Sequence, residues 1–177
     1  FLTDRSGYFD IYLVSAIDKE RKIKLVSGQR RQDLEELNWL RPGMSWSPDG
    51  AYLAFSSRAG ADDALNILNV ATREIAASFI FDLDGLFAPA WSPDSLRIAF
   101  VGVKDYRSDI YIYNLSTGTL DKITDDIFSD LEPAWSPDGA ELAFVSDRKE
   151  HVERAAMLDG VEDIGDYDCR GEDIYLL

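Results

Sequence analysis

The sequence predicts an all-β protein, a β-propeller of four-stranded antiparallel blades. Three observations carry this. Trp46-Ser47-Pro48-Asp49-Gly50, Trp91-Ser92-Pro93-Asp94-Ser95 and Trp135-Ser136-Pro137-Asp138-Gly139 are near-copies, with tryptophans 45 and 44 residues apart. Each is followed by an apolar run that ends in Phe55, Phe100 or Phe144, at the same spacing. A second block then begins nine residues after the phenylalanine: Asp109-Ile110-Tyr111 after Phe100, Ala64-Leu65-Asn66 after Phe55, and Asp10-Ile11-Tyr12 after Phe1. A period of this length, punctuated by turn residues, is that of a four-stranded propeller blade. A β-sandwich has no reason to repeat one pentapeptide in register.

The elements follow in order within each unit. The first strand ends at the tryptophan. Pro-Asp-Gly then makes a tight turn, because Pro presets φ, Asp bonds its own backbone and Gly accepts positive φ. Ser95 stands where the other units have Gly, which predicts a strained turn or another turn type. The second strand is the alternating run 51–57, or 140–146 in the last unit. The third starts at the Asp-Ile-Tyr block (110–115), and the fourth follows a Ser-Thr-Gly turn (119–124). Trp46, Trp91, Trp135, Phe55, Phe100 and Phe144 recur in every full unit, so they are expected to pack blade on blade.

This period divides the chain into 1–26, the end of a blade; 44–81, a blade; 87–124, a blade; and 131–177, a blade with a long insertion at 149–170 and no last strand. Phe1 aligns with Phe144, so the first unit opens at the end of its second strand. The result is an incomplete ring of about three and a half blades. Its closure calls for remaining blades of the same protein or for a second copy, since unpaired edges invite pairing.

Composition excludes several classes. Lys and Arg number 18 against 33 Asp and Glu, a net charge of −15, which opposes nucleic-acid binding. At 46% hydrophobic residues, the chain is too apolar for a disordered acidic tail. No apolar run is long enough for a membrane span, and the longest, 75–81, has the length of a strand. Cys169 is the sole cysteine and His151 the sole histidine, so neither an internal disulfide nor a His-pair zinc site is available. There is no Gly-x-Ser-x-Gly elbow and no phosphate-binding Gly-rich loop, and no catalytic residue is assigned.

Alternating strand direction sends the second-to-third and fourth-to-first connections to one end of the ring. Both departures from the basic repeat fall there. They are 27–42, in which 33–37 are expected to form a helical turn or two, and 149–170. Most of the net charge lies in the loops of that end, and the opposite loops are near balance. Asp125, Asp126, Asp130, Glu132, Asp62 and Asp63 are the expected contacts to a basic protein or peptide, drawn in by electrostatic steering. The competing reading is a set of solvated loops that keep the protein soluble. Asp159, Glu162, Asp163, Asp166 and Asp168 surround glycines in a pattern that suits Ca²⁺. Their spacing is not that of an EF-hand, and an acidic loop without metal is the competing reading there. No other cofactor is expected.

Pro133-Ala134-Trp135-Ser136-Pro137-Asp138-Gly139, then Leu142-Ala143-Phe144-Val145-Ser146-Asp147-Arg148, then Asp173-Ile174-Tyr175, resembles the WD-like repeat of TolB-type propellers. The resemblance implies a six-bladed ring, a non-catalytic platform that binds protein or peptide, and a bacterial periplasmic or otherwise extracytoplasmic setting. The same repeat occurs in prolyl-oligopeptidase-family enzymes, which implies an alternative: a gating propeller whose hydrolase domain lies outside this chain. A carbohydrate-active propeller is a third expectation.

Overall fold

The turn after each repeat tryptophan is built by two side chains. Ser47 Oγ donates to Asp49 Oδ1 at 2.5 Å and accepts from Tyr52 N at 2.9 Å, while Asp49 Oδ1 also accepts from Ala51 N at 3.0 Å. Ser92 with Asp94, and Ser136 with Asp138, repeat the arrangement. The serine hydroxyl, then the backbone N–H, hold each of these three aspartates below the ordinary carboxylate value. Gly50 and Gly139 close their turns at φ 70° and 71°, and Ser95 takes the same left-handed conformation at φ 63°. The turn type is therefore kept in the third unit, and Ser95 bears the strain.

The computed structural model describes residues 1–4, 10–18, 20–28, 36–37, 43–148 and 173–176; at 36–37, 59 and 173–176 it is the backbone that is described. These residues form fifteen strands and no helix. A first blade contains β1 (Leu2–Thr3), β2 (Asp10–Val14) and β3 (Lys22–Val26), paired in that order. The second contains β4 (Glu36–Leu37), β5 (Met44–Trp46), β6 (Tyr52–Ala59), β7 (Asp62–Asn69) and β8 (Glu74–Ile80). The third is β9 (Gly85–Trp91), β10 (Arg97–Lys104), β11 (Arg107–Asn114) and β12 (Leu120–Lys122). The fourth holds β13 (Asp130–Trp135), β14 (Leu142–Ser146) and β15 (Asp173–Leu176). Every pairing is antiparallel. Strands β5, β9 and β13 contact one another in order, which puts the first strand of each blade on the inner side of an incomplete ring.

Residues 33–37 were expected to start a helical turn. Instead, Leu37 and Glu36 pair with Ser57 and Arg58 of β6, and 33–35 lie outside the described residues. The physical reason is the open edge of β6 beyond Phe55, whose N–H and C=O groups need partners. In the third blade, β9 alone covers this edge, with Leu86 opposite Gly102. In the second, β4 and β5 share it, and the extra residues lie between them.

The core is divided among the blade interfaces. Leu53, Phe55 and Leu68 meet Ile11, Leu25 and Val26 of the first blade. Leu65, Ile67 and Ala54 meet Leu86, Ile98, Phe100 and Tyr111. Phe87, Val101 and Ile110 meet Leu142 and Phe144. Phe55, Phe100 and Phe144 are fully buried, each contributing about 2–3 kcal/mol by transfer from water. The tryptophans sit at the rim of the same interfaces. Trp135 lies under the Arg97 guanidinium at 4.5 Å and donates Nε1–H to Ala90 O at 3.1 Å, while Trp91 stacks on Tyr52 at 6.4 Å. Both sockets come from the preceding blade. Trp46 has no such neighbour among the described residues and is half exposed.

One glycine is required by a ring. A Cβ on Gly102 would stand 2.6 Å from the Tyr111 ring. In the second blade the matching pair is Ser57 and Asn66, joined by an Asn66 Nδ2 to Ser57 Oγ hydrogen bond of 2.8 Å.

Two outcomes follow for unfolding experiments. Ser95→Gly relieves the left-handed serine, and should raise stability by about 0.5–1 kcal/mol, or roughly 2 °C at this chain length; an unchanged or lower melting temperature contradicts the strain. Gly102→Ala should cost about 1–3 kcal/mol by overpacking against the Tyr111 ring and Leu83, and an unchanged midpoint in urea titrations contradicts the close fit.

Candidate functional site

The end of the ring that carries the β6–β7, β10–β11, β8–β9 and β12–β13 connections holds the acidic cluster. Short turns bring its acids close together. Gly60 and Ala61 join β6 to β7, with Ala59 paired to Asp62. Asp105 and Tyr106 join β10 to β11, with φ 50° and 65°, the two positive values of a type I′ hairpin turn.

Many of these acids are already committed to holding one loop to the next. Asp63 Oδ2 accepts from Leu86 N of the following blade at 2.9 Å. Asp84 accepts from Asp105 N at 2.8 Å, and Asp147 accepts from Ser129 N at 2.8 Å. Lys104 Nζ lies 2.7 Å from Asp82. Arg148 occupies the corresponding place in the fourth blade, 2.9 Å from Asp126, bonded to Asp130 and stacked over the Phe144 ring at 5.3 Å. Each of these cations therefore ties the end of a second strand to the loop entering its own blade.

Two carboxylates at this end have no exposed surface. Asp130, in β13, is 0% exposed. Burial raises its pKa, against the opposing pull of the Ser146 and Thr124 hydroxyls and the Arg148 charge. Asp109, at the start of the third-strand block in β11, is also 0% exposed. Lys122 Nζ stands 3.0 Å from its Oδ2, while Oδ1 has no hydrogen-bond partner among the described residues. Burial raises this pKa too, and the Lys122 bond only partly offsets it. Partial burial would pull Lys122 down, but its bonds to Asp125 and Asp109 together hold it well above the ordinary lysine value. Asp10 is the same residue of the first blade; it pairs with Lys24 at 2.5 Å and also accepts from Gly28 N at 3.0 Å.

The six expected contact residues thus separate. Asp62 is exposed at a hairpin end. Asp125 is exposed (side chain 76%) although it pairs with Lys122. Asp63 and Asp126 are half-buried and spend their oxygens on backbone N–H groups or on Arg148. Asp130 was read as a loop acid; it lies in β13, fully buried, and offers no surface to a partner. Glu132 was read the same way; it also lies in β13, exposed at the bulge between Leu131 and Ala134 with φ 53°. The acids of the third-strand block and their lysines were missed as a charge pair. The signal was present as Lys24 and Lys122, each recurring opposite a block tyrosine. Asp159, Glu162, Asp163, Asp166 and Asp168, with His151 and Cys169, lie outside the described residues. Among the described residues no group of three or more acids, His or Cys is placed to hold a metal ion.

A family model described as the TolB beta propeller domain matches residues 1–153. The Tol-Pal system protein TolB of Francisella tularensis subsp. mediasiatica (strain FSC147) is 39% identical over 83 residues, which are 45% of this chain and 19% of that protein. The crystal structure of TolB from Acinetobacter baumannii superposes with a TM-score of 0.60 at 25% identity, over 80% of this chain and 33% of that one. A putative TolB from Agrobacterium tumefaciens gives 0.63 at 18% identity, over 84% of this chain and 49% of that one, a likeness of fold alone. The chain spans about a third to a half of these solved chains.

A carboxyl with a raised folded-state pKa takes up its proton earlier in the fold than in the unfolded chain. Its contribution to stability therefore grows as pH falls through that raised value toward the ordinary one. Asp109 and Asp130 act in this sense; Asp49, Asp94 and Asp138 act in the opposite one, losing stability as pH falls below the ordinary carboxylate range. Asp109→Asn mimics the protonated form at every pH. In urea unfolding its stability relative to the parent should be highest at neutral pH and decline steadily as the pH approaches the ordinary aspartate value. A difference that stays constant or grows over that interval contradicts the assignment.

Proposed function

The chain belongs to the TolB β-propeller family, and on that premise we propose that it is a non-catalytic platform that binds a protein or peptide through its acidic, loop-rich end. One observation carries the reading. After the loop-to-loop bonds are made, Asp62, Asp105 and Glu132 remain exposed, and Asp82 and Asp125 keep exposed side chains beside their lysines. A partner with basic groups finds uncompensated charge there, in a chain of net charge −15, and long-range attraction raises its rate of encounter. The curated relative is a component of a Tol-Pal system, which supports a periplasmic or otherwise extracytoplasmic setting. Remaining blades of the same protein, or a second copy, complete the ring. The gating reading, a propeller serving a hydrolase domain elsewhere, has no observation here that favours it.

The test uses the full-length protein as bait in periplasmic extract. Recovery of the captured protein should fall at least tenfold when Asp62→Asn, Asp125→Asn and Glu132→Gln are combined, and should fall with added salt in the parent. Undiminished recovery by the triple variant overturns the acidic-end reading.

A further inference from the structure

The outer strands of the first three blades are not equivalent. β3 (Lys-Ile-Lys-Leu-Val) and β12 (Leu-Asp-Lys) are short and charged. Charge and shortness are two devices by which natural sheets protect a free edge. β8 is seven residues long, Glu-Ile-Ala-Ala-Ser-Phe-Ile, with its one charge at the first position. It ends its sheet, paired with β7 on one side only. Ala77 and Phe79 pack into the core, while Ile75 and Ile80 are 41% and 57% exposed. A bulge at Ala76 leaves 77–80 as a regular free edge.

The missing charge is a coordinated change. Register places Lys24 opposite Tyr12, Lys122 opposite Tyr111 and Ser78 opposite Asn66. In the first and third blades the lysine neutralises a buried aspartate, Asp10 or Asp109. In the second blade the aspartate position is Ala64 and the lysine position is Ser78. Removing the lysine alone would leave a buried carboxylate without its cation. Here acid and base are both gone, the tyrosine position is Asn66, and Asn66 is satisfied by Ser57 Oγ. The edge has thus lost its guard charge at no cost to the interior.

From this we infer that the free edge of β8 receives an extended strand of another protein by antiparallel β-augmentation, a strand of apolar and uncharged residues with a basic N-terminal end. Backbone groups along 77–80 supply the ladder, and Ile75 and Ile80 flank it. The basic end follows from position: an antiparallel guest has its N-terminus beside Asp82, whose side chain is 98% exposed, and Asp84, which is also exposed. A second copy of this chain is the poorer guest, since it brings another −15 against the first. The ladder along 77–80 does not rest on the acidic-end reading, since Asp62, Asp125 and Glu132 are not in β8; only the basic end of the guest shares an acid with it, Asp82, which also pairs with Lys104.

The probe is a synthetic peptide of two lysines followed by six alternating valine and threonine residues, added to the full-length protein. Amide hydrogen exchange at 77–80 should slow at least tenfold on binding. The same peptide N-methylated at alternate residues should give no protection. Ser78→Lys restores the charge that β3 and β12 carry at this position and should weaken binding at least tenfold, with Ile80→Lys, on the same exposed edge, as the second variant should the first fail to fold. No protection at about 1 mM peptide, equal binding by the N-methylated form, or unchanged affinity in both variants overturns the inference. Concentration-dependent dimerisation that Ser78→Lys abolishes overturns the choice of guest in favour of a second copy.

Discussion

Blade-on-blade packing is the constraint from which the rest follows. A four-stranded sheet with two apolar faces cannot bury either one alone. Phe55, Phe100 and Phe144 are each buried between one blade and the next, and the core is accordingly a series of interfaces rather than one centre. The tryptophan rim depends on the same stacking. Trp135 and Trp91 are seated by Arg97 and Tyr52 of the preceding blade, and Trp46, with no such neighbour described, is left half exposed.

Stacking also decides what charge can do at the loop end. Each blade must be held at an angle to its neighbour, and the loops do this with carboxylates that reach across to backbone N–H groups. Asp63 is of this kind, reaching Leu86 N of the next blade, while Asp147 closes its own blade by accepting from Ser129 N. Lys104 and Arg148 repeat one geometry in successive blades, closing the end of a second strand onto the loop before it. An acidic surface here is therefore two populations. One is structural and partly neutralised, and the other is exposed to solvent.

Much of the fold was legible because its signals are local. The Ser-x-Asp turn is written in adjacent residues, and it formed even where Ser95 replaces Gly, since two hydrogen bonds and the following strand outweigh one strained φ. The Trp and Phe repeats were legible for the same reason, recurring at the period of the blade. The strand at Glu36–Leu37 was not. Its residues look helical in isolation, and only the unpaired edge of β6 about twenty residues later makes them extended. The buried ion pairs were half legible: the aspartates stood out as part of a block, but their lysines are paired by register.

The sequence by itself determined the blade period, the strand order, the faces turned to the core and the end at which acid accumulates. These are properties of neighbouring residues and of strict alternation along a strand. The tertiary structure decided which acids remain available. Asp130 and Asp62 look alike as letters, yet one is sealed beneath Arg148 and the other stands in solvent. It also decided that β8 alone among the three outer strands lacks a guard lysine and the acid that lysine would pair with. The reason is the same in both cases. Availability of a charge or a strand edge is set by what the fold places against it, and those neighbours come from other strands and other blades.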